Sequence, residues 1–515
     1  MSLIEKINDP KDIKGMNIKE LNDLAGEVRE IIIKKVSKTG GHMGPNLGFI
    51  EPTIAMHYVF NSPVDKIVYD VSHQCYTHKI LTGRKDNFID EEKYEDISGY
   101  TNPHESKHDF FQIGHTSTSI SLATGLAKAR DVKNEKGNVI AVIGDGSLTG
   151  GEAYEGLNNA AVLNSNIIIV VNDNEMSIAK NQGGLVGHLD TLRTTNGKSE
   201  CNMFKALGFD YYYVEDGNDV ESLINTFKAV KDTNKPVVVH IHTNKGKGYK
   251  FAEENKEAGH WVMPSDFDYS KMPKESYSSI LADFISKKCE NNEPFVGITA
   301  ATPTVCGFTP YLREKLGKHY VDVGIAEQHA VALASGIAKN GGRPIFGVYS
   351  SFIQRTYDQL SQDLALNNNP AVIVVFDGGL SPMDATHVGQ FDISMISNIP
   401  NLVYLAPANK EEYIAMLNWA TTQTEHPVII RAASMHEMKS TGNEDTTDYS
   451  DLNKFKVEKK GNKVAIIGLG YFYYLGEEVA KILKDKLGIE ATVINPHYIS
   501  GCLLYTSPSP RDMRR

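Results

Sequence analysis

Apolar residues in the first half of the chain fall into short unbroken runs: KIVYDV (66–71), NVIAVIG (138–144), NIIIVVN (166–172) and KPVVVHIHT (235–243). Helix-length stretches separate them. Runs that are apolar throughout, rather than alternating, predict strands of a parallel sheet covered on both faces. The segment ENKEAGHWVMPSDFDYSKMPKESY (254–277) interrupts the rhythm with charges and prolines and reads as an interdomain linker. A second block repeats the pattern with HYVDVGI (319–325), RPIFGVYS (343–350), PAVIVVFD (370–377), LVYLAP (402–407) and HPVIIRA (426–432). After a second polar run at 439–454, a third unit opens with NKVAIIGLG (462–470), a helix at about 475–487 and EATVINP (490–496). One helix between two strands cannot cover a sheet on both faces, so this unit is expected to be incomplete. The aperiodic CLLYTSPSPRDMRR (502–515) is expected to be a foreign tail. The fold class is therefore α/β, with two doubly wound parallel-sheet domains at 1–253 and 278–438 and a truncated third at 455–501.

Composition narrows the function classes. Hydrophobic residues at 41% and charged residues at 23% are those of an ordinary soluble globular protein. A formal charge of -11 argues against a general nucleic-acid binder, which needs a basic face, but leaves room for an anionic small molecule in a local site. Five cysteines, odd in number and without C-x-x-C spacing, read as reduced thiols of a cytoplasmic protein. No window is apolar for long enough to cross a membrane, and the N-terminus lacks the apolar stretch of a secretory signal.

Chemistry concentrates in GDGSLTGGEAYEGLNNAAVLNSNIIIVVNDN (144–174). Asp145 follows one predicted strand and Asn174 the next, so both emerge at the carboxyl edge of the sheet, where ligands of open α/β folds bind. Gly144 and Gly146 allow a tight turn, and the following helix start offers free N–H groups to an anion. A carboxylate, an amide oxygen and a nearby backbone carbonyl suit Mg²⁺, whose remaining positions would go to phosphate oxygens and water. Either motif alone is common in turns; together, one strand–helix–strand unit apart, they are specific.

The pair resembles the metal-diphosphate signature of thiamine-diphosphate enzymes. GGHMGPNLG (40–48), YDVSHQCYTHKILTGRK (69–85), GHTSTSIS (114–121), KGKGY (245–249), VGIAEQHAVALASGIA (323–338) and YSSFIQRTYDQ (349–359) narrow it to the 1-deoxy-D-xylulose-5-phosphate synthase family. The resemblance implies a transketolase-like fold and Mg²⁺ held by Asp145, Asn174 and the Met176 carbonyl. It places Gly146 and Ser147 at the diphosphate, with His73, Gly114, His115, Thr116, Tyr249 and Phe352 lining the cofactor. It makes Glu327 the carboxyl group on the aminopyrimidine ring, favouring the imino tautomer that accepts the thiazolium proton. His42 and His387 are its best proton-transfer candidates, and Tyr349, Arg355, Asp384 and Arg431 its substrate residues. The substrates implied are pyruvate and D-glyceraldehyde 3-phosphate, and the assembly implied is a homodimer. Of six histidines in or near these segments, His78 and His329 receive no role, and none has zinc-site spacing.

Two places depart from the family. Asp-Arg-Ala-Gly becomes DGGL (377–380), with Gly378 at the arginine, and Arg-Tyr-Pro-Arg-Gly becomes RAASM (431–435), with Ser434 near the second arginine. The family's arginines there grip the acceptor phosphate, a task for a planar bidentate cation. The segment 183–201 is also shorter than the family's. Gly378 and Ser434 motivate one rival, a related transferase with another acceptor; the incomplete third unit motivates another, an inactive cofactor-binding subunit. GLGYFYYLG (468–476) lacks the third glycine of a dinucleotide fingerprint.

Overall fold

Asn17 and Glu20 exchange side-chain-to-backbone hydrogen bonds of 3.0 and 2.8 Å, a capping box that starts helix α1, Ile18–Thr39. Leu21, Leu24, Val28, Ile32 and Val36, at three- and four-residue spacing, bury one face of α1. The helix ends at Gly40 and delivers the chain to His42. This is a computed structural model describing residues 2–271, 273, 275–379, 386–433 and 438–499. It divides into two units, Met1–Ser270 with Gly324–Ala326, and Lys271–Val323 with Glu327–Arg515.

The first unit is built on β1 (Lys66–Tyr69), β2 (Val139–Gly144), β3 (Ile167–Asp173), β4 (Asp210–Val214) and β5 (Pro236–His242), all parallel, in the order β1-β2-β3-β5-β4. Successive residues feed opposite cores, as strand geometry requires. Ile140, Val142, Ile168, Val170, Val237 and Val239 join α1, α2 (Ile50–Val59) and the helix Val220–Val230 on one side. Ala141, Ile143, Ile167, Ile169 and Val171 join the helices Ser119–Val132, Gly151–Ala160 and Gly184–Thr194 on the other. The sheet is thus covered on both faces, as its unbroken apolar runs predict.

The expected linker is not one over most of its length. Gly41–His42 pairs antiparallel with Trp261–Val262, and Gly44 N–H donates 2.8 Å to Gly259 O, so the first unit reaches Ser270 rather than ending near residue 253. Strand β4, DYYYV, is absent from the sequence expectation because only Val214 is buried, and its polar–aromatic alternation marks a half-exposed edge.

The second unit carries β6 (Phe295–Thr299), β7 (Tyr320–Asp322), β8 (Arg343–Tyr349), β9 (Val372–Gly378), β10 (Val403–Leu405) and β11 (Val428–Ala433), parallel, in the order β10-β11-β9-β8-β6-β7. Helices Tyr277–Glu290 and Lys410–Thr422 cover one face; Glu327–Lys339 covers the other. A separate three-stranded sheet belongs to the same unit: β12 (Lys456–Lys459) antiparallel to β14 (Ala491–Asn495), and β13 (Val464–Ile467) parallel to it. Its helix, Phe472–Leu487, packs Ala480 on Ala491 and Val493. The helix leaves Phe472, Leu475, Val479 and Ile482 exposed along another stripe, Leu475 by 52%. The expected tail at 502–515 lies outside the described residues. Among the described residues no helix is long and apolar enough to cross a membrane.

Candidate active site

Asp145 leaves the end of β2 and Asn174 the end of β3, and the register Gly144↔Asn172 sets them side by side. Asp145 Oδ1 accepts its own turn's Gly146 N–H at 2.9 Å. Its Oδ2 accepts Asn174 N–H at 3.3 Å and Asn181 Nδ2 at 2.9 Å. Asn174 Oδ1 accepts Met176 N–H at 3.2 Å, folding the Met176 turn over the same edge. Burial, reinforced by neighbouring Asp173, pushes the Asp145 carboxyl well above its ordinary range. Burial would raise Asp173 too, but His240 and Arg193 outweigh it and hold that carboxylate low. Lys245, buried and lowered to about 7 by desolvation, donates 2.6 Å to Ser177 O. A Cβ at Gly146 would lie 2.7 Å from Ser177 Cβ, so the turn accepts only glycine without moving. An all-oxygen donor set beside a glycine turn and a buried lysine fits a magnesium diphosphate.

Next to this edge is a cluster of rings that the sequence reading resolved only in part. His42 makes edge contacts with His73 (5.0 Å), Tyr100 (5.8 Å), His260 (5.4 Å) and Trp261 (4.6 Å), and His73 lies 5.4 Å from His260. Asn46 Nδ2 donates 2.8 Å to each of the His42 and His73 carbonyls, tying the two segments together. Burial first, then Lys245 and the two other histidines, holds His260 well below its ordinary pKa, as a neutral imidazole. Its Nδ1 is buried without a hydrogen-bond partner among the described residues. His260 sits in the segment read as linker, and Lys245 in the quoted KGKGY; neither was singled out, because only tertiary structure brings them here. Tyr249 caps the helix Lys250–Glu254 and packs against the α1 core and Phe251. Gly114, His115 and Thr116 form an irregular loop whose neighbour Ser117 donates 2.8 Å to Ser147 O. His78 belongs to a buried network, 2.9 Å from Asp109 and 2.8 Å from His57.

In the second unit Glu327 opens its helix, is 3% exposed, and lies 3.6 Å from Arg355 Nη1. Burial raises its carboxyl above the ordinary value, and Arg355 only partly offsets this. Its Oε2 is buried without a hydrogen-bond partner among the described residues, which suits an incoming ring N–H or ring nitrogen. Tyr349, Phe352 and His387 stack edge-on in sequence, 5.5 and 5.6 Å apart, with His387 Nδ1 2.8 Å from Thr386 Oγ1. Asp384 and Ser434 lie outside the described residues.

Arg431 is tied to its own neighbours. Its Nε and Nη2 engage Asp392 at 2.6 and 3.3 Å, Nη2 also meets Gly389 O at 3.1 Å, and Tyr404 OH donates 2.6 Å to the same carboxylate. A Cβ at Gly378 would stand 2.8 Å from Arg431 Cγ. The retained arginine therefore lies over the glycine that replaces its family partner and is held by Asp392 and the Gly389 carbonyl.

The 1-deoxy-D-xylulose-5-phosphate synthase family model matches residues 4–201 and 197–243, and the transketolase pyrimidine-binding domain matches 274–435. The 1-deoxy-D-xylulose-5-phosphate synthase of Halothermothrix orenii is 39% identical over 97% of this chain and 84% of its own length. That of Caldanaerobacter subterraneus subsp. tengcongensis is 39% identical over 96% of this chain and 86% of its own. Among solved structures, transketolase from Campylobacter jejuni is 17% identical over 94% of this chain and 89% of its own, at a TM-score of 0.41. On the identity with its sequence relatives over nearly its whole length, the chain belongs to the 1-deoxy-D-xylulose-5-phosphate synthase family, thiamine-diphosphate-dependent transferases of transketolase-like fold.

Proposed function

We infer that the chain decarboxylates pyruvate and joins the two-carbon unit to D-glyceraldehyde 3-phosphate, giving 1-deoxy-D-xylulose 5-phosphate and CO₂. The observation that carries this reading is the Asp145–Asn174 pair at one sheet edge, in a chain of this family. Thiamine diphosphate, when bound, supplies the electron sink for decarboxylation. In this reading Asp145, Asn174 and the Met176 carbonyl hold Mg²⁺. Gly146, Ser147 and Lys245 receive the diphosphate. Glu327, a buried carboxyl whose affinity for a proton is raised by burial, would face the aminopyrimidine and exchange a proton with it. His42, His73 and His260, packed ring against ring, would move protons at the substrate oxygens in this reading. The active assembly is proposed to be a homodimer and to work in the cytoplasm.

A second reading has its own support: Gly378 stands where the family has an arginine and Arg431 pairs with Asp392, which in this reading weakens the grip on an acceptor phosphate. The test is product analysis with pyruvate, thiamine diphosphate and Mg²⁺, offering glyceraldehyde 3-phosphate and glyceraldehyde in parallel. Product from the phosphorylated aldehyde alone supports the synthase. Equal use of the free aldehyde shifts the assignment to a transferase of another acceptor.

A further inference from the structure

The loop bearing Gly114, His115 and Thr116 has no regular structure, yet it is bracketed by two buried carboxylates outside the residues assigned above. Upstream, Asp109 accepts four hydrogen bonds: His78 Nε2 and Arg84 Nη2 on Oδ1 (both 2.9 Å), and Arg84 Nη1 (2.7 Å) and Asn102 N–H (2.8 Å) on Oδ2. That saturates a carboxylate. With Nε2 donating to Asp109, His78 Nδ1 accepts from His57 Nε2 at 2.8 Å, which fixes both tautomers. Glu105 extends the anchor, accepting Ser98 N–H (2.9 Å) and Lys79 Nζ (2.5 Å).

Downstream, Asp70 accepts Ser117 N–H at 2.8 Å on one oxygen and Ser119 N–H at 2.9 Å on the other. Between the brackets, Ser72 Oγ donates 2.7 Å to Ile113 O and accepts Thr101 N–H at 3.0 Å. The backbone is strained where these bonds converge: Val71, Ser72 and Ser117 have φ of 58°, 66° and 74°. Such a conformation, above all at a β-branched valine, persists only where surrounding contacts impose it. Ser117 also reaches the diphosphate turn through Ser147 O. Residues 114–116 are thus flanked on both sides by segments that these carboxylates anchor, Asp70 also bonding the Ser147 side chain.

We propose that Asp109 and Asp70 are positioning residues that hold the Gly114–Thr116 loop in its cofactor-receiving shape, so that they govern affinity for thiamine diphosphate and not the rate of the loaded enzyme. The proposal rests on the reading of 114–116 as cofactor contacts. Asp109→Asn keeps the shape but replaces one acceptor with a donor against Arg84, His78 and the Asn102 N–H. Asp70→Asn does the same to the Ser117 and Ser119 amides.

The experiment is steady-state kinetics of the full chain against thiamine diphosphate at saturating Mg²⁺, pyruvate and aldehyde acceptor, with direct titration of cofactor binding and circular dichroism of each variant. The expected result is a cofactor half-saturation raised roughly 10- to 100-fold, the range for lost outer-shell support. Turnover at saturating cofactor and KM for pyruvate stay near wild type. Wild-type protein that does not bind the cofactor would remove the site reading itself. Wild-type binding with unchanged half-saturation in both folded variants, or turnover lost at saturation with affinity intact, would overturn the positioning role alone. Variants that both fail to fold would reduce the brackets to structural anchors and also overturn it.

Discussion

Gly146→Ala probes the close approach of the Gly146 turn to Ser177 and Asn181. Gly146 has φ −62° and ψ −44°, which alanine adopts freely, so no backbone strain confounds the result. The added Cβ would meet Ser177 Cβ at 2.7 Å, and Ser177 Cα and Asn181 Oδ1 at 3.1 Å. Carbon pairs rest at about 3.5–4.0 Å, so the Ser177 turn must retreat by about 1 Å. That turn carries the carbonyl bound to Lys245, and Asn181 is bonded to Asp145, so the retreat displaces both flanks of the site. Overpacking of this kind costs about 1–3 kcal/mol, or roughly 5- to 150-fold in affinity if borne by the ligand-bound state. Calorimetric titration with thiamine diphosphate and Mg²⁺ measures it. Gly151→Ala is the control, because nothing lies within 4 Å of its added methyl. Gly146→Ala binding within twofold of wild type, or an equal loss in the control, would refute the reasoning.

Glu327→Gln should abolish turnover while leaving the fold intact. The folded carboxyl titrates above its ordinary value, so the stability it contributes is fully present below the unfolded pKa and is lost as pH rises through the raised one. The glutamine variant should therefore gain on wild type in urea melts as pH rises, and a growing deficit instead would contradict the burial argument. Gly26→Ala, in the middle of α1 with nothing within 4 Å, should stabilise by about 0.5–1 kcal/mol in the same melts. Leu475→Glu with Val479→Lys, on the open stripe of the C-terminal helix, should change stability by no more than about 0.5 kcal/mol and lower the binding of an apolar dye. A loss above about 2 kcal/mol would mean that this face is buried in solution.

What could be read from the chain was whatever is local. The unbroken runs gave β2, β3, β5, β8 and β9 because a doubly covered strand needs no partner information to be recognised. Asp145 and Asn174 were legible for the same reason: each marks the end of its own strand. Glu327 depended on its neighbours IAEQHA, and the structure supplies the burial that distinguishes it from a surface helix start. His260 was hidden because a segment with charges and prolines reads as a linker until its two-residue ladder with His42 is seen. The pairing of Arg431 with Asp392 was hidden because its partner is 39 residues away and carries no motif. Strands β4, β6 and β12 were passed over, β4 and β12 because most of their residues are exposed or half-exposed, β6 without such a reason.

The ladder joining Gly41–His42 to Trp261–Val262 also has a consequence in time. About 220 residues separate its halves, so a chain made at roughly 5–20 residues per second completes His260's side of the cluster some 10–45 s after His42 has emerged. Until then α1 and the strands of the first sheet can assemble, but the histidine cluster stays open to water. A protein ended at residue 253, the boundary its sequence suggests, would keep the sheet and the His42–His73 contact but never gain the His260 and Trp261 side of the cluster.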